Sequence, residues 1–307
     1  MTSHWIETYL EAIQAERDAS DNTVLAYARD LREFESFLDK SKQTFKTASR
    51  SDVEAYIVAL EYRGMAASTR ARRLSAVRQL FRFAFEEGWR TDDPSAQIKG
   101  PRKKRHLPGT LTVDEVDRML EAAMQTGRHK SDRLRNTCLM QLLYATGMRV
   151  SELVSLPVAA VRGNPEMIFI KGKGGKERMV PLSPSAKMAT AVYLQDRDKH
   201  EELAQAAGKA SSKYLFPSNG KLGHLTRIRF YTLVKEIAVN AGVPPDTVTP
   251  HTLRHAFATH LLAGGADLRV IQMLLGHADV ATTEIYTHVL DEKLKSLVLD
   301  HHPMAKD

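Results

Sequence analysis

Four short segments of the chain set arginine, lysine, histidine and tyrosine in otherwise apolar surroundings. The first, Ala145-Thr-Gly-Met-Arg149-Val-Ser-Glu152-Leu, places an arginine just after a glycine break, where a new helix opens. Arg149 can present its fork to an anion there, and Glu152 can orient it. The plain alternative is a surface Arg–Glu pair worth a few tenths of a kcal/mol. The second, Gly172-Lys173-Gly174-Gly175-Lys176, joins one strand-like run to another. It lacks P-loop spacing, so the choice is between an exposed hairpin tip and a lysine inserted into a groove. The third, His251-Thr-Leu-Arg254-His255, puts His251 and Arg254 on one helix face. His251 and His255 have zincin spacing, but the glutamate of HExxH is absent and Arg254 would repel a cation. His255 and His260 are expected to serve structure, by hydrogen bonding within their domain. The fourth is Leu275-Gly276-His277 with Tyr286 beyond it, the one tyrosine of nine within a dozen residues of His277.

Together these make a consistent set. Two guanidiniums can clamp the non-bridging oxygens of a phosphodiester and stabilise its pentacoordinate transition state. A tyrosine hydroxyl can attack phosphorus if a histidine accepts its proton. A lysine can protonate the departing sugar oxygen. Protein cations supply the electrostatics, so no metal or other cofactor is expected.

The elements that must position these groups are mainly helical. Apolar residues recur every three to four positions at Trp5–Ile13 and Val24–Leu38. A capping box is expected at Ser51–Glu54, opening a helix that Gly64 closes. A longer helix from Ser68 should turn Leu74, Val77, Phe81, Ala84 and Phe85 inward and leave its arginines outside. After a Pro/Gly-rich connector, Thr112–Glu115 is a second capping box, and Leu134–Ala145 reads as a helix with Gly147 near its C-cap. Met167–Lys171 and Arg178–Leu182 read as a hairpin. Helices are expected at about 185–198, 226–241, 251–263, 267–275, 280–286 and 291–299.

The 307 residues carry a net charge of +7, and the excess is uneven. Residues 63–110 hold 12 Lys/Arg against 4 Asp/Glu. Arg70, Arg72, Arg73 and Arg78 lie in a stretch without acids, and Arg102, Lys103, Lys104 and Arg105 lie in the connector. One such run is often a solvated face; two at a domain boundary favour a polyanion across the hinge, so these eight are the candidate polyanion contacts, which the resemblance described below would make DNA-binding residues. The single cysteine, Cys138, excludes a disulfide framework. The chain start has no secretory pattern, and no run approaches about 18 apolar residues, so a cytoplasmic protein without membrane spans is expected.

At these motifs the sequence resembles the tyrosine recombinase (phage integrase) family. ATGMRVSEL, IKGKGGKERMVPL, HTLRHAFATHLL and LLGHADVATTEIYTH look like its signature segments, in order and spacing. Within the family it looks most like the Xer branch, the XerD group more than XerC, from ASTRARRLSAVRQLFRFAFEEGW, DDPS and the ending HHP. The resemblance implies Arg149 and Arg254 as phosphate-binding arginines, Lys173 as general acid, His251 and His277 around the phosphate, Tyr286 as nucleophile and Glu152 as support. It implies a mainly α, two-domain fold: a four-helix SAM-like core-binding domain (1–97), a basic linker (98–110) and an α-rich catalytic domain (111–307) with a small antiparallel sheet. The two domains would close on duplex DNA as a C-shaped clamp. A last helix with Leu290, Leu294, Leu297 and Val298 would dock into a neighbouring protomer. The partners implied are double-stranded DNA, a second related Xer recombinase in a heterotetramer, and a cell-division DNA translocase, with chromosome dimer resolution at a dif-like site as the task. Competing readings are a mobile-element integrase, a type IB topoisomerase that rejoins the original strand, and an architectural DNA-binding protein with a dead site.

Overall fold

The computed structural model describes residues 3–16, 20–101, 110–172, 177–208, 210–276 and 302–303. Arg102–Arg105, Lys173, His277, Tyr286 and the helices expected at 280–286 and 291–299 lie outside the described residues. The chain divides into two compact units, Met1–Leu107 and Pro108–Asp307. Among the described residues, no helix is long and apolar enough to cross a membrane.

The first unit is built from α1 (Ser3–Glu16), α2 (Asp21–Lys40), α3 (Arg50–Tyr62) and α4 (Ala67–Glu86). Their apolar stripes meet in a core that includes Leu31, Phe34, Tyr56, Val77 and Phe81, with Phe34 and Tyr56 rings 4.8 Å apart. Ile98 also packs into this core, so the start of the expected linker belongs to the first unit. The capping box of α3 falls two residues before its expected place. Ser49 N–H donates to Asp52 (2.8 Å), and Asp52 N–H donates to Ser49 Oγ (3.3 Å). Glu54 pairs instead with Arg50 across one turn, at 2.8 Å.

The expected outward arginine face of α4 is only partly present. Arg73 is buried, and it pairs with Glu33 at 2.5 Å and Asp30 at 3.8 Å. Arg72 is exposed but also bonds Asp30. Arg70 pairs with Glu61 (2.7 Å), and Arg78 donates to the Ile98 carbonyl. For Arg72 and Arg73 the cause is α2, which offers Asp30 and Glu33 to that side of α4. Burial pushes the Asp30 carboxyl above its ordinary range, although Arg72 and Arg73 pull the other way. Phe85 is half exposed rather than inward. The chain after α4 folds back over Phe83 instead, with the Trp89 ring 5.2 Å from Phe83 and 5.1 Å from Trp5.

The second unit begins with α5 (Val113–Ala123), capped by Thr112 and Glu115 as expected (2.8 Å). Then come α6 (Lys130–Thr146), α7 (Val150–Val154) and the antiparallel pair β1 (Met167–Lys171) and β2 (Glu177–Pro181). After these lie α8 (Pro184–Ala206), α9 (Arg227–Asn240), α10 (Pro250–Ala263) and α11 (Leu268–Leu275). α6 is central: its last five residues, Leu142–Thr146, are wholly buried, with α5, α8 and α10 packed around it. α8 runs eight residues past its expected end. There the buried Arg197 bonds the Ser212 carbonyl (2.7 Å) and Glu201 (3.7 Å).

His260 behaves as expected. Its Nε2 bonds the Leu111 carbonyl and its Nδ1 the Tyr144 hydroxyl, both at 2.8 Å. Since a carbonyl only accepts, Nε2 carries the proton and Tyr144 donates to Nδ1. His255, by contrast, is exposed on the outer side of α10. His302 is fully buried, its Nε2 donates to the Tyr144 carbonyl (3.2 Å), and its ring lies 5.5 Å from Phe257. Burial lowers its pKa from 6.5 to about 4, and lowers that of His260 as well.

These two histidines carry a pH dependence. The unfolded chain binds a proton near pH 6.5 and the folded chain only near 4, so acidification through that window favours unfolding. Through His302 alone, lowering the pH from 7.5 to 5 should remove about 2 kcal/mol of stability. Urea unfolding at both pH values should show a smaller loss for His302→Gln, which can still donate but cannot titrate. Equal losses in the two proteins would refute the assignment.

Candidate active site

Three arginines from three elements converge on the end of α11. Arg149 is the N-cap of α7; its backbone N–H donates to Glu152 Oε2 (2.7 Å) and its Nη1 to Oε1 (3.0 Å). Glu152 is buried, and Arg178 on β2 grips both its oxygens, at 3.0 and 2.8 Å. Burial works against the Glu152 charge, but hydrogen bonds from Arg178 and Arg149 hold its pKa below the ordinary value. Arg254, one turn into α10, is buried and donates to the carbonyls of Gly147 and Leu275, the latter at 2.6 Å. Burial, then repulsion from Arg149 and Arg178, brings its pKa down to about 10. Two of the three guanidiniums bond the single carboxylate Glu152, and the third, Arg254, bonds only backbone carbonyls, so the cluster carries more positive than negative charge. An enclosed excess of positive charge of this kind favours an anion.

Gly147 makes the approach possible. It ends α6 in the left-handed region (φ 57°), and a Cβ there would lie 2.3 Å from Phe257 Cδ1. Phe257 is fully buried on α10, three residues after Arg254. Gly147→Ala combines left-handed strain with overpacking, a destabilisation of about 2–5 kcal/mol. Thermal unfolding should show it. A melting temperature like wild type would mean that α10 yields easily.

Two family models match the chain: the phage integrase family over residues 109–293, and the phage integrase N-terminal SAM-like domain over residues 6–88. The chain belongs to the phage integrase family. It is a tyrosine recombinase, an enzyme that breaks and rejoins DNA. It is 47% identical to the tyrosine recombinase XerD of Rhizobium meliloti, over 100% of this chain and 97% of that protein. With the XerD of Caulobacter vibrioides the identity is 46%, over 98% and 97%. Among solved structures it resembles the XerH site-specific recombinase bound to a palindromic difH substrate, with a TM-score of 0.70 and 26% identity over 95% of this chain and 83% of that one. A lambda integrase dimer bound to a COC' core site shares the fold, with a TM-score of 0.65 and 21% identity over 94% of this chain and 98% of that one.

In this recombinase, Arg149, Glu152 and Arg254 lie in one cluster. His251 sits in the first turn of α10, on the exposed side. Lys173, His277 and Tyr286 lie outside the described residues. Sequence reasoning missed Arg178. The signal was available: in a half-buried hairpin, positions two apart share a face, and Arg178 shares one with the buried Val180. Arg178 also pairs in register with the buried Ile170. An arginine on the inward face of a strand needs a buried partner, and here that partner is Glu152.

Proposed function

We propose that this recombinase cuts double-stranded DNA at a specific site with Tyr286 as nucleophile. The tyrosine oxygen bonds to phosphorus, the bond from phosphorus to the 5′ oxygen breaks, and a 3′-phosphotyrosyl link and a free 5′-hydroxyl result. Arg149 and Arg254 grip the non-bridging oxygens, and Glu152 holds Arg149 in place. His251 and His277 flank the phosphate, one of them taking the tyrosine proton, while Lys173 protonates the departing oxygen. The 5′-hydroxyl of a partner duplex then attacks the link, exchanging strands. One phosphoester replaces another at each step, so no nucleotide need be consumed.

The observation that carries this reading is the meeting of Arg149 and Arg254, far apart in the chain, at the end of the helix that leads directly into His277. Near-full-length identity to XerD proteins supports a Xer role: resolution of chromosome dimers at a dif-like site, in a heterotetramer with a second recombinase, under a cell-division DNA translocase, in the cytoplasm. The linker residues Arg102–Arg105 and the exposed Arg72 are assigned to the DNA backbone, whereas Arg73 is committed to Glu33.

The test is trapping on a dif-like duplex nicked beside the cleavage position, so that the released fragment diffuses away. Protease digestion and peptide mass measurement should find a 3′-linked nucleotide on Tyr286. A link at another residue, or no link, would overturn the assignment.

A further inference from the structure

We propose that Arg178 is a positioning residue for the recombination reaction, tying Glu152 and the last turn of α11 together so that Arg149 and Arg254 stand ready as a pair. This rests on the reading that those two arginines grip the phosphate.

Three consecutive carbonyls end α11, and each accepts from a different arginine. Leu274 accepts from Arg178 Nε (2.8 Å), Leu275 from Arg254 Nη2 (2.6 Å) and Gly276 from Arg149 Nη2 (3.1 Å). The last carbonyls of a helix lack intrahelical partners and carry its negative end, so cations are favoured there. Gly276 closes the helix in the left-handed conformation (φ 65°). A Cβ on it would stand 3.2 Å from Arg178 Cδ, so the turn and this arginine are packed closely together.

The three arginines are not equivalent. Arg149 keeps 39% of its side chain exposed, whereas Arg178 keeps 10%. All three guanidinium nitrogens of Arg178 point to protein oxygens, two to Glu152 and one to Leu274. It is turned to the protein, while Arg149 is turned partly to solvent. Exposure does not separate Arg178 from the buried Arg254; what marks Arg178 is that its Nε, Nη1 and Nη2 are all taken up by protein oxygens.

The consequence is mechanical. Without Arg178, Glu152 loses its bidentate partner and its carboxylate is free to close on Arg149, drawing that fork off the phosphate. The α11 end loses one of its three ties, just before His277. The strand that carries Arg178 is also the second strand of the hairpin whose turn contains Lys173 in sequence. A single side chain on β2 thus joins α7, which Arg149 caps, to the end of α11, where Arg254 also bonds.

The experiment uses the full-length protein on the nicked duplex, with cleavage measured under single turnover, affinity by mobility shift, and stability by thermal unfolding. Arg178→Ala should cleave about 100-fold more slowly, with DNA affinity within about threefold of wild type. Arg178→Lys, which keeps the charge but not the fork, should recover part of the rate. In a Glu152→Gln background, Arg178→Ala should add less than about threefold, because both changes break one unit.

A pH profile adds a readout that simple loss of packing would not move. The charges facing Glu152 are Arg149, Arg178 and Arg254. Removing Arg178 removes a group that lowers the Glu152 pKa, so the acidic limb of the cleavage rate should shift to higher pH. Cleavage by Arg178→Ala at the wild-type rate, with an unmoved limb, would overturn the proposal. So would a loss that adds fully to that of Glu152→Gln and follows the melting temperature. If wild type itself forms no link at Tyr286, the underlying functional reading fails instead, which the wild-type arm shows directly.

Discussion

Tyr286→Phe should form no covalent DNA adduct, a loss of at least about 10³-fold, while its affinity for duplex stays within about twofold of wild type. The change deletes a single oxygen and keeps the ring, so shape and the arginine cluster are retained while the nucleophile is gone. No other tyrosine of the second unit is well suited to replace it. The hydroxyls of Tyr144 and Tyr193 are pushed far above their ordinary pKa by burial, and Tyr144 is already donating to His260. Tyr214 packs its ring 4.8 Å from His224, and Tyr231 lies under Lys235. Denaturing gels of protein mixed with end-labelled nicked duplex read the result. A persisting adduct would move the nucleophile to another residue, and an equal loss of affinity would mean that Tyr286 serves binding rather than attack.

Local signals were legible wherever they were self-sufficient. Helical spacing located the four helices of the first unit, and Thr112–Glu115 capped α5 where that pattern stood alone. At the start of α3 two overlapping patterns compete, Ser49 with Asp52 and Ser51 with Glu54. The box formed at the first, and Arg50 took Glu54. Glycine placement was legible for a similar reason: the left-handed turn at Gly147 follows from its position after an apolar helix. Charge was harder to read. Counting arginines along α4 cannot show that Glu33, forty residues away in sequence, turns Arg73 inward. The same limit hid Arg178, whose partner Glu152 comes from a different element. An ionic side chain takes its meaning from a partner, and partners are chosen by the tertiary fold.

Arg254→Ala should lower the cleavage rate by about 10³-fold, close to 4 kcal/mol of transition-state stabilisation, and leave folding stability within about 2 kcal/mol of wild type. The two expectations differ because the side chain meets opposing terms in the resting protein. Its hydrogen bonds to the Gly147 and Leu275 carbonyls stabilise the fold. Its buried charge and its repulsion from Arg149 and Arg178 oppose that, as a pKa drawn down to about 10 records. Truncation removes both, so they largely offset. In the transition state the balance changes, since extra negative charge on the phosphate turns the enclosed cation from a liability into the main stabilising group. Arg254→Lys should fall between the two proteins, because an ammonium keeps the charge but cannot reach both carbonyls and the phosphate together. Single-turnover cleavage with mobility-shift affinity separates the cases. If affinity falls as far as rate, Arg254 holds ground state and transition state alike, and the repulsion stored in the cluster is not used in catalysis.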